Sequence, residues 1–319
     1  MESNPPVSVI CICYNHALYV KEAIDSVINQ TYSNIEIILV NDASTDHSDE
    51  VIKEIIEKYP HIQYLKNERN RGLNKSFNRA FSQSKGDYII DFATDDLLYP
   101  ERIEKQVRAF QQLPEDYGTI YTDAEYIDEK GEVFKKHKDY LLKKGLVSGM
   151  YEGDVFSKVL STFFIASPTM MSKRKVYEEL EGYNEKLSYE DFDFWVRSSR
   201  NWKYKYLDEP LTGIRKLKSS MSANWYEKED DKIYSTYSVC KAVQALIRNE
   251  EEQNALVKRI KYEYRQCVFT GNIRVGAYFY TMMQEYGALT PVYRALNTFQ
   301  FLHPFYTKLR RLYYRMRYF

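Results

Sequence analysis

With 319 residues the chain is long enough for one large domain or two, and for a sizeable core. Its 45 basic and 45 acidic residues cancel, so bulk charge singles out neither a nucleic acid nor a membrane as partner. The four cysteines show no paired metal-binding spacing, and no apolar run approaches the roughly 18 residues a membrane-spanning helix needs.

The opening stretch, MESNPPVSVI, lacks the basic n-region of a secretory signal, so a cytoplasmic address is expected. VSVICI (Val7 to Ile12) is a short β-branched run that reads as a buried strand, and Cys11 and Cys13 sit on it at i and i+2 as a buried, reduced pair. HALYVKEAIDSVINQ follows with Leu18, Ala23, Ile24, Val27 and Ile28 roughly on one helical face. IEIILV (Ile35 to Val40) is a second buried strand. STDHSDEVIKEIIEKY opens with capping residues and carries Val51, Ile52, Ile55 and Ile56 at helical spacing. HIQYLKN is a short strand, LNKSFNRAFSQSKG a helix ended by Gly86, and DYIIDF the next strand. The order β-α-β-α-β-α-β predicts a parallel sheet with helices on both faces.

Beyond residue 100 the pattern mixes short strands and helices. YGTIYTDAEYIDEKGEVF reads as strand, turn and returning strand; FFIASPTMMSKRKVYEEL as strand then helix; SYEDFDFWVRSSR as the start of a helix. KYKYLDEPLTGIRK looks like an edge strand that ends at Pro210. From about residue 228 the pattern is helical. No internal repeat or low-complexity linker appears.

In an open α/β sheet, ligands bind beyond the carboxyl ends of the strands. Tyr14 and Asn15 follow the first strand, Asp42 the second, and Asp95 and Asp96 follow DYIIDF, so these groups are expected to share a crevice. Adjacent carboxylates are costly to bury, and at the rim of the sheet they need not be buried. No G-x-G-x-x-G follows the first strand and no G-x-x-x-x-G-K-[ST] occurs, so any phosphate is handled through a metal held by acids. Each residue also has a plainer reading. TDD can cap the next helix, NDASTD can form a turn, Arg71 can be a solvated loop arginine, and YEDFDFW can be a capped helix start with an acidic first turn. Trp195 reads as core, Arg197 as a structural ion pair, and His16 as a solvated loop residue near the proposed base site.

Three segments, in this order and spacing, resemble the inverting glycosyltransferases of family 2, which have a GT-A fold. They are PPVSVICICYNHALYVKEAIDSVINQTYSNIEIILVNDASTD, NRGLNKSFNRAFSQSKGDYIIDFATDD and YEDFDFWVR, and the resemblance covers about residues 5 to 222. The resemblance implies a GT-A-like, Rossmann-type, mainly parallel sheet flanked by helices, with a helical C-terminal extension. It implies a transferase domain over residues 1–225, whose nucleotide-binding half is about 5–100 and acceptor half about 101–225, and a helical region over 226–319. Thr94-Asp95-Asp96 takes the place of the family's D-x-D, with Thr94 a departure at its first position. Asp96 is then the residue for a Mg²⁺ or Mn²⁺ ion, and Asp95 lies against the nucleotide.

By the same resemblance Asp42 accepts from N3 of uracil or thymine, and Tyr14 packs on the base. Arg71 touches base or phosphate. Asp191 is the general base that takes the acceptor hydroxyl's proton as the diphosphate leaves, and Glu190 contacts sugar or acceptor. Many relatives carry a histidine after the last core strand; here that place holds Leu217, and Lys216 or Lys218 supplies charge instead. The implied activity is transfer of a sugar from a UDP or dTDP donor to a hydroxyl of a glycan or lipid-linked saccharide in cell-surface polysaccharide synthesis. Two alternatives stand beside it: a sugar nucleotidyltransferase, which usually has a glycine-rich basic loop after the first strand, and a non-catalytic glycan-binding scaffold, against which the intact Asp96 and Asp191 argue.

After Glu285 there is no acid but there are six bases, which leaves 39 bases against 45 acids in the rest, a net of −6. FYTKLRRLYYRMRYF pairs five bases with six aromatics. That composition suits an anionic membrane surface, and no nucleic-acid module accompanies it. The expected location is therefore cytoplasmic and peripheral at the inner face of the membrane. A helix packed on its own domain or on a second subunit is the plainer reading of the same tail.

Overall fold

The computed structural model describes residues 4–217, 226, 230–308 and 310, so Lys218 and the tail beyond Arg310 lie outside the described residues. Strand β1 (Val7–Cys13) is buried at every position. It is followed by α1 (Val20–Ile28), β2 (Ile35–Asn41), α2 (Ser48–Lys58), β3 (Gln63–Lys66), α3 (Leu73–Phe81) and β4 (Tyr88–Ala93). β5 (Leu97–Leu98), α4 (Arg102–Gln112), β6 (Tyr117–Ile127) and β7 (Val133–Lys136) come next. The chain continues through α5 (His137–Lys143), α6 (Phe156–Ser161), β8 (Met171–Lys173), α7 (Arg174–Glu179), α8 (Asp191–Ser199) and β9 (Lys203–Arg215). The last helices are α9 (Asp231–Val243), α10 (Glu250–Thr270), α11 (Ile273–Glu285) and α12 (Pro291–Thr298).

The described residues divide into two compact units. The first holds residues up to Val155, Phe164–Lys186 and Asp193–Leu217; the second holds Phe156–Phe163, Leu187–Phe192 and the chain from 218 onward.

The first unit is built on a nine-stranded sheet in the order β3-β2-β1-β4-β8-β6-β9-β5, with β7 paired to β6. β3, β2, β1 and β4 run parallel, as the alternation of strand and helix predicts. Beyond β4 the sheet becomes mixed, through antiparallel β8. Pleating sends alternate side chains to opposite faces. Val7, Val9, Cys11 and Cys13 therefore join one cluster with Ile37, Leu39, Ile90 and Phe92, under Ala23, Ile24 and Val27 of α1, Ile52 and Ile55 of α2, and Ile103, Val107 and Phe110 of α4. Burying each such side chain contributes about 1.5–3 kcal/mol. α3, whose buried Phe77 and Ala80 stand outside that cluster, packs on β1 and β2. All four cysteines are free and buried.

Two elements differ from the sequence reading. Leu18 is 85 % exposed and precedes α1, whose buried face is instead Val20, Ala23, Ile24 and Val27. β9 does not end at Pro210. Pro210 sits where the register against β6 shifts, a bulge that tolerates a residue with no N–H, and the strand runs on to pair with β5 at Thr212 and Gly213. The buried Arg102 of α4 fastens this stretch by donating to Thr212 Oγ1 (3.0 Å) and Met170 O (3.0 Å).

The second unit is helical. α10 packs on α6, α9 and α11. Asn249 caps α10 by accepting from the Glu252 N–H (2.9 Å), and Gly271 ends it in the left-handed conformation, φ +82°. An ion pair between Arg259 and Glu263 (3.2 Å) is buried on α10, with the guanidinium 3.8 Å from the Phe163 ring centroid. Tyr226 donates to Glu263 (2.7 Å). Burial pushes the Glu263 carboxyl above its ordinary range, against the opposing charge of Arg259. Near α12 an open apolar groove of about 580 Å³ is lined by Phe269, Val292, Leu296, Phe299 and Tyr306 among others. Among the described residues no helix is long and apolar enough to cross a membrane.

Candidate active site

The turn Thr94–Asp96 joins β4 to β5, and α4 begins only at Arg102 with no side-chain cap, so these carboxylates are not helix caps. β4 lies beside β1 with Ile12 opposite Ala93, which brings the loops that follow the two strands to the same end of the sheet. Cys13 pairs with Asn41 on the other side of β1, so the loop after β2 arrives there too.

The loops after β1 and β2 are clasped together. Asn15, at φ +60°, donates its N–H to Ser44 Oγ (3.0 Å), and its side chain accepts from the Thr45 N–H (2.7 Å). The His16 N–H reaches Ser48 Oγ (3.0 Å), and the Ala17 N–H reaches Asp46 Oδ2 (3.0 Å). Tyr14 stands 41 % exposed beside this clasp.

Asp42 is 2 % exposed, and its carboxylate accepts three hydrogen bonds. Asn67 Nδ2 (2.7 Å) and the Arg71 N–H (2.8 Å) meet Oδ1, and the Gly72 N–H (2.9 Å) meets Oδ2. Asp42 thus shapes the loop after β3. A carboxylate offers about four acceptor positions, so one remains on Oδ2. Gly72, at φ +82°, allows the chain to present its N–H in that turn. The Arg71 side chain is exposed, while its backbone is held by Asp42.

Asp96 is 3 % exposed. Its Oδ1 accepts from the Arg215 N–H at the end of β9 (2.8 Å). Among the described residues no donor reaches Oδ2. Burial, and then the adjacent Asp95 charge, push its carboxyl well above the ordinary carboxylate range, against the opposing Arg215 and Lys216. Arg215 does not neutralise it directly: its guanidinium donates to Asp95 O (2.9 Å), Asp128 O (2.9 Å) and Glu22 (2.8 Å). Lys216 keeps solvent access, yet desolvation by the surrounding protein lowers its pKa, against the opposing charges of Asp96 and Asp95.

His16 is not a solvated loop residue. Its Nδ1 lies 3.0 Å from Thr94 Oγ1 and its Nε2 3.8 Å from Asp95 Oδ2. No sequence signal announces this contact, which follows from β1 and β4 lying side by side with Ile12 opposite Ala93.

Asp191 is the first residue of α8, and Glu190 precedes it; both are half-buried and belong to the second unit. There Ser188 and Tyr189 hydrogen-bond to Ser235 (2.9 Å) and Thr236 (2.6 Å) of α9. Tyr14, Asp42, Arg71, Asp95 and Asp96 all belong to the first unit. Trp195 is 4 % exposed, and Arg197 pairs with Asp193 at 2.7 Å.

The sequence profile of Glycosyl transferase family 2 matches residues 8–181, more than half of the chain. The chain belongs to this family. This family 2 transferase is 32 % identical over 243 residues to an uncharacterized glycosyltransferase of Methanocaldococcus jannaschii, covering 74 % of this chain and 78 % of that one. Its fold is that of S. aureus TarS 1-349 solved in complex with UDP (TM-score 0.63, 15 % identity, 95 % of this chain and 91 % of that one). It is also that of the mannosyltransferase PcManGT from Pyrobaculum calidifontis solved with GDP-Man and Mn²⁺ (TM-score 0.58, 16 % identity, 98 % and 88 %). The expected fold, a GT-A-like α/β sheet flanked by helices and followed by C-terminal helices, is the one found.

Proposed function

We propose that this transferase moves one sugar, with inversion, from a UDP- or dTDP-linked donor to a hydroxyl of a glycan or lipid-linked saccharide in cell-surface polysaccharide synthesis. The observation that carries the reading is the turn after β4, where Asp96 is buried with one oxygen tied to Arg215 and the other met by no hydrogen-bond donor among the described residues. In this reading Tyr14 packs on the base, the remaining acceptor position of Asp42 takes its imide N–H, and Arg71 and Asp95 contact the nucleotide. Asp191 takes the proton of the attacking hydroxyl, and Glu190 contacts sugar or acceptor. Residues 1–225 form the transferase domain and 226–319 a helical region. The UDP in the TarS structure supports a uridine donor, and the GDP-Man in the PcManGT structure supports a nucleotide-sugar donor in general.

The implied ion is Mg²⁺ or Mn²⁺, held by Asp96. The residues fit it. A carboxylate raised first by burial and then by its neighbour's charge is relieved by a cation, and such ions take one or two carboxylates with substrate phosphates rather than an all-protein cage. Among the described residues no three His, Cys, Asp or Glu side chains gather into a metal site. Bound, the ion would offset charge on the departing diphosphate.

The same reading places the protein in the cytoplasm, peripheral at the inner face of the membrane. Its support is the exposure of Val292, Phe299, Phe301, Leu302 and Phe305 in a segment without an acid.

A thermal-shift panel of UDP-, dTDP-, GDP- and ADP-sugars with and without Mn²⁺ tests the reading. Selective stabilisation by a uridine or thymidine donor, larger with Mn²⁺, is expected; stabilisation by none of them would remove it.

A further inference from the structure

Asn67, the residue that follows β3, has no part in the reaction as proposed, yet it is 2 % exposed and spends its whole amide beside Asp42. Its Nδ2 donates to Asp42 Oδ1 (2.7 Å) and to Ser76 Oγ (2.8 Å), and its Oδ1 accepts from Arg79 Nη1 (2.6 Å). Chemistry fixes which way round the amide stands. A guanidinium has donors and no acceptor, so the atom facing Arg79 is the amide oxygen, and the NH₂ faces Asp42. The backbone holds the residue in place as well, because its N–H donates to Asn41 O (2.9 Å), the residue before Asp42. Ser76 and Arg79 lie three positions apart on α3 and so share a face, and Arg79 Nη1 is anchored in turn by Lys66 O (2.9 Å).

The consequence falls on Asp42. Both acceptor positions of its Oδ1 are filled, by Asn67 and by the Arg71 N–H (2.8 Å), and one on Oδ2 is filled by the Gly72 N–H (2.9 Å). Each of these partners is a donor, so Asp42 is set up as an acceptor with a single open position. Two of the three donors are backbone groups; Asn67 is the side chain among them. A base that carries an N–H on its pairing edge, as uracil and thymine do at N3, completes the open position. Cytosine presents a lone pair at N3 and sets acceptor against acceptor, and a site built to take an N–H rejects a partner without one.

We infer that Asn67, oriented by Arg79, is a positioning residue that determines donor specificity: it holds the Asp42 carboxylate as an acceptor and aims its one open lone pair, so that imide-bearing pyrimidines enter and cytosine is turned away. This rests on the assignment of Asp42 to the base and adds the residue that makes Asp42 selective.

The test reads the base contact alone. UDP and CDP are titrated calorimetrically into the full chain with Mn²⁺; the diphosphate is common to both, so the ratio of their affinities reports the base. Asn67→Asp keeps the size and the Arg79 contact but sets an oxygen against Asp42 Oδ1. Arg79→Met, at a half-buried position, releases the amide to turn over. Wild type is expected to favour UDP by at least about tenfold, and Asn67→Asp to bring the ratio close to unity by losing UDP affinity while CDP affinity stays within about twofold. Arg79→Met should lower the ratio by a smaller factor, and Asn67→Asp should change nothing further in an Asp42→Asn background. Equal weakening of UDP and CDP, with the ratio kept, would show that Asn67 merely braces the loop after β3 and would overturn the inference. The same fall in ratio with Asp42 already replaced would overturn it too, since Asn67 would then act without Asp42. Thermal midpoints check folding, and if Asn67→Asp does not fold, an unchanged ratio in Arg79→Met decides against the inference. A wild type that does not distinguish UDP from CDP removes the base-reading role of Asp42 and this inference with it.

Discussion

The backbone N–H of Arg215 donates to Asp96 Oδ1 at 2.8 Å, which ties the end of β9 to the turn after β4. An amide oxygen can accept that bond equally well. Asp96→Asn should therefore keep the fold while removing the charge. Because the folded protein holds the Asp96 carboxyl above its ordinary range, the group contributes stability below about pH 4, its unfolded value, and loses it as pH rises through the folded value. In EDTA, Asp96→Asn should be more stable than wild type by a few degrees at pH 8, with the gap closing toward pH 4; calorimetric melts across that range check the sign. Turnover should fall by at least about a hundredfold if the ion depends on this oxygen.

Asp42 organises the loop after β3 through three accepted bonds. An asparagine there has one acceptor oxygen and presents an NH₂ where the other oxygen was, so either the Gly72 N–H keeps only Asn70 Oδ1 (3.0 Å) or the Arg71 N–H loses its partner, the latter at a cost of about 1–3 kcal/mol. Asp42→Asn should speed amide exchange at Arg71 and Gly72 and raise KM for the donor by about tenfold, with a smaller change in kcat. Steady-state kinetics paired with hydrogen exchange separates these effects from global destabilisation.

The proposed base predicts a different pattern. Asp191→Asn should lower kcat by about two to four orders of magnitude with little change in donor affinity, since general base catalysis contributes roughly that much. An Asp191→Asn enzyme that keeps wild-type kcat would remove the assignment.

The apolar residues exposed around α12 predict lipid binding. Phe301→Ser with Phe305→Ser should reduce co-sedimentation with vesicles containing about 30 % phosphatidylglycerol several-fold and leave donor binding intact. Binding that is equal on neutral vesicles, or unchanged in the double variant, would count against an anionic membrane surface.

The first half of the fold was legible because each strand is a short apolar run and each helix repeats at 3.6 residues; β1 to β4 follow the predicted order. What sequence could not supply were contacts set by register. His16 meets Thr94 across 78 positions only because Ile12 lies opposite Ala93. Leu18 has the spacing of a core residue but precedes the first helical turn. Pro210 reads as a strand terminus, yet the register shift against β6 absorbs it. The segments 156–163 and 187–192 group with the C-terminal helices through packing that no local pattern announces.

The most direct test of donor binding at the sheet edge is calorimetric titration of UDP into wild type and Asp96→Asn, with Mn²⁺ and with EDTA. The prediction is tight binding only for wild type with Mn²⁺, weakened at least about tenfold by either the substitution or the chelator. Equal affinity in all four titrations would contradict a cation-held diphosphate at Asp96.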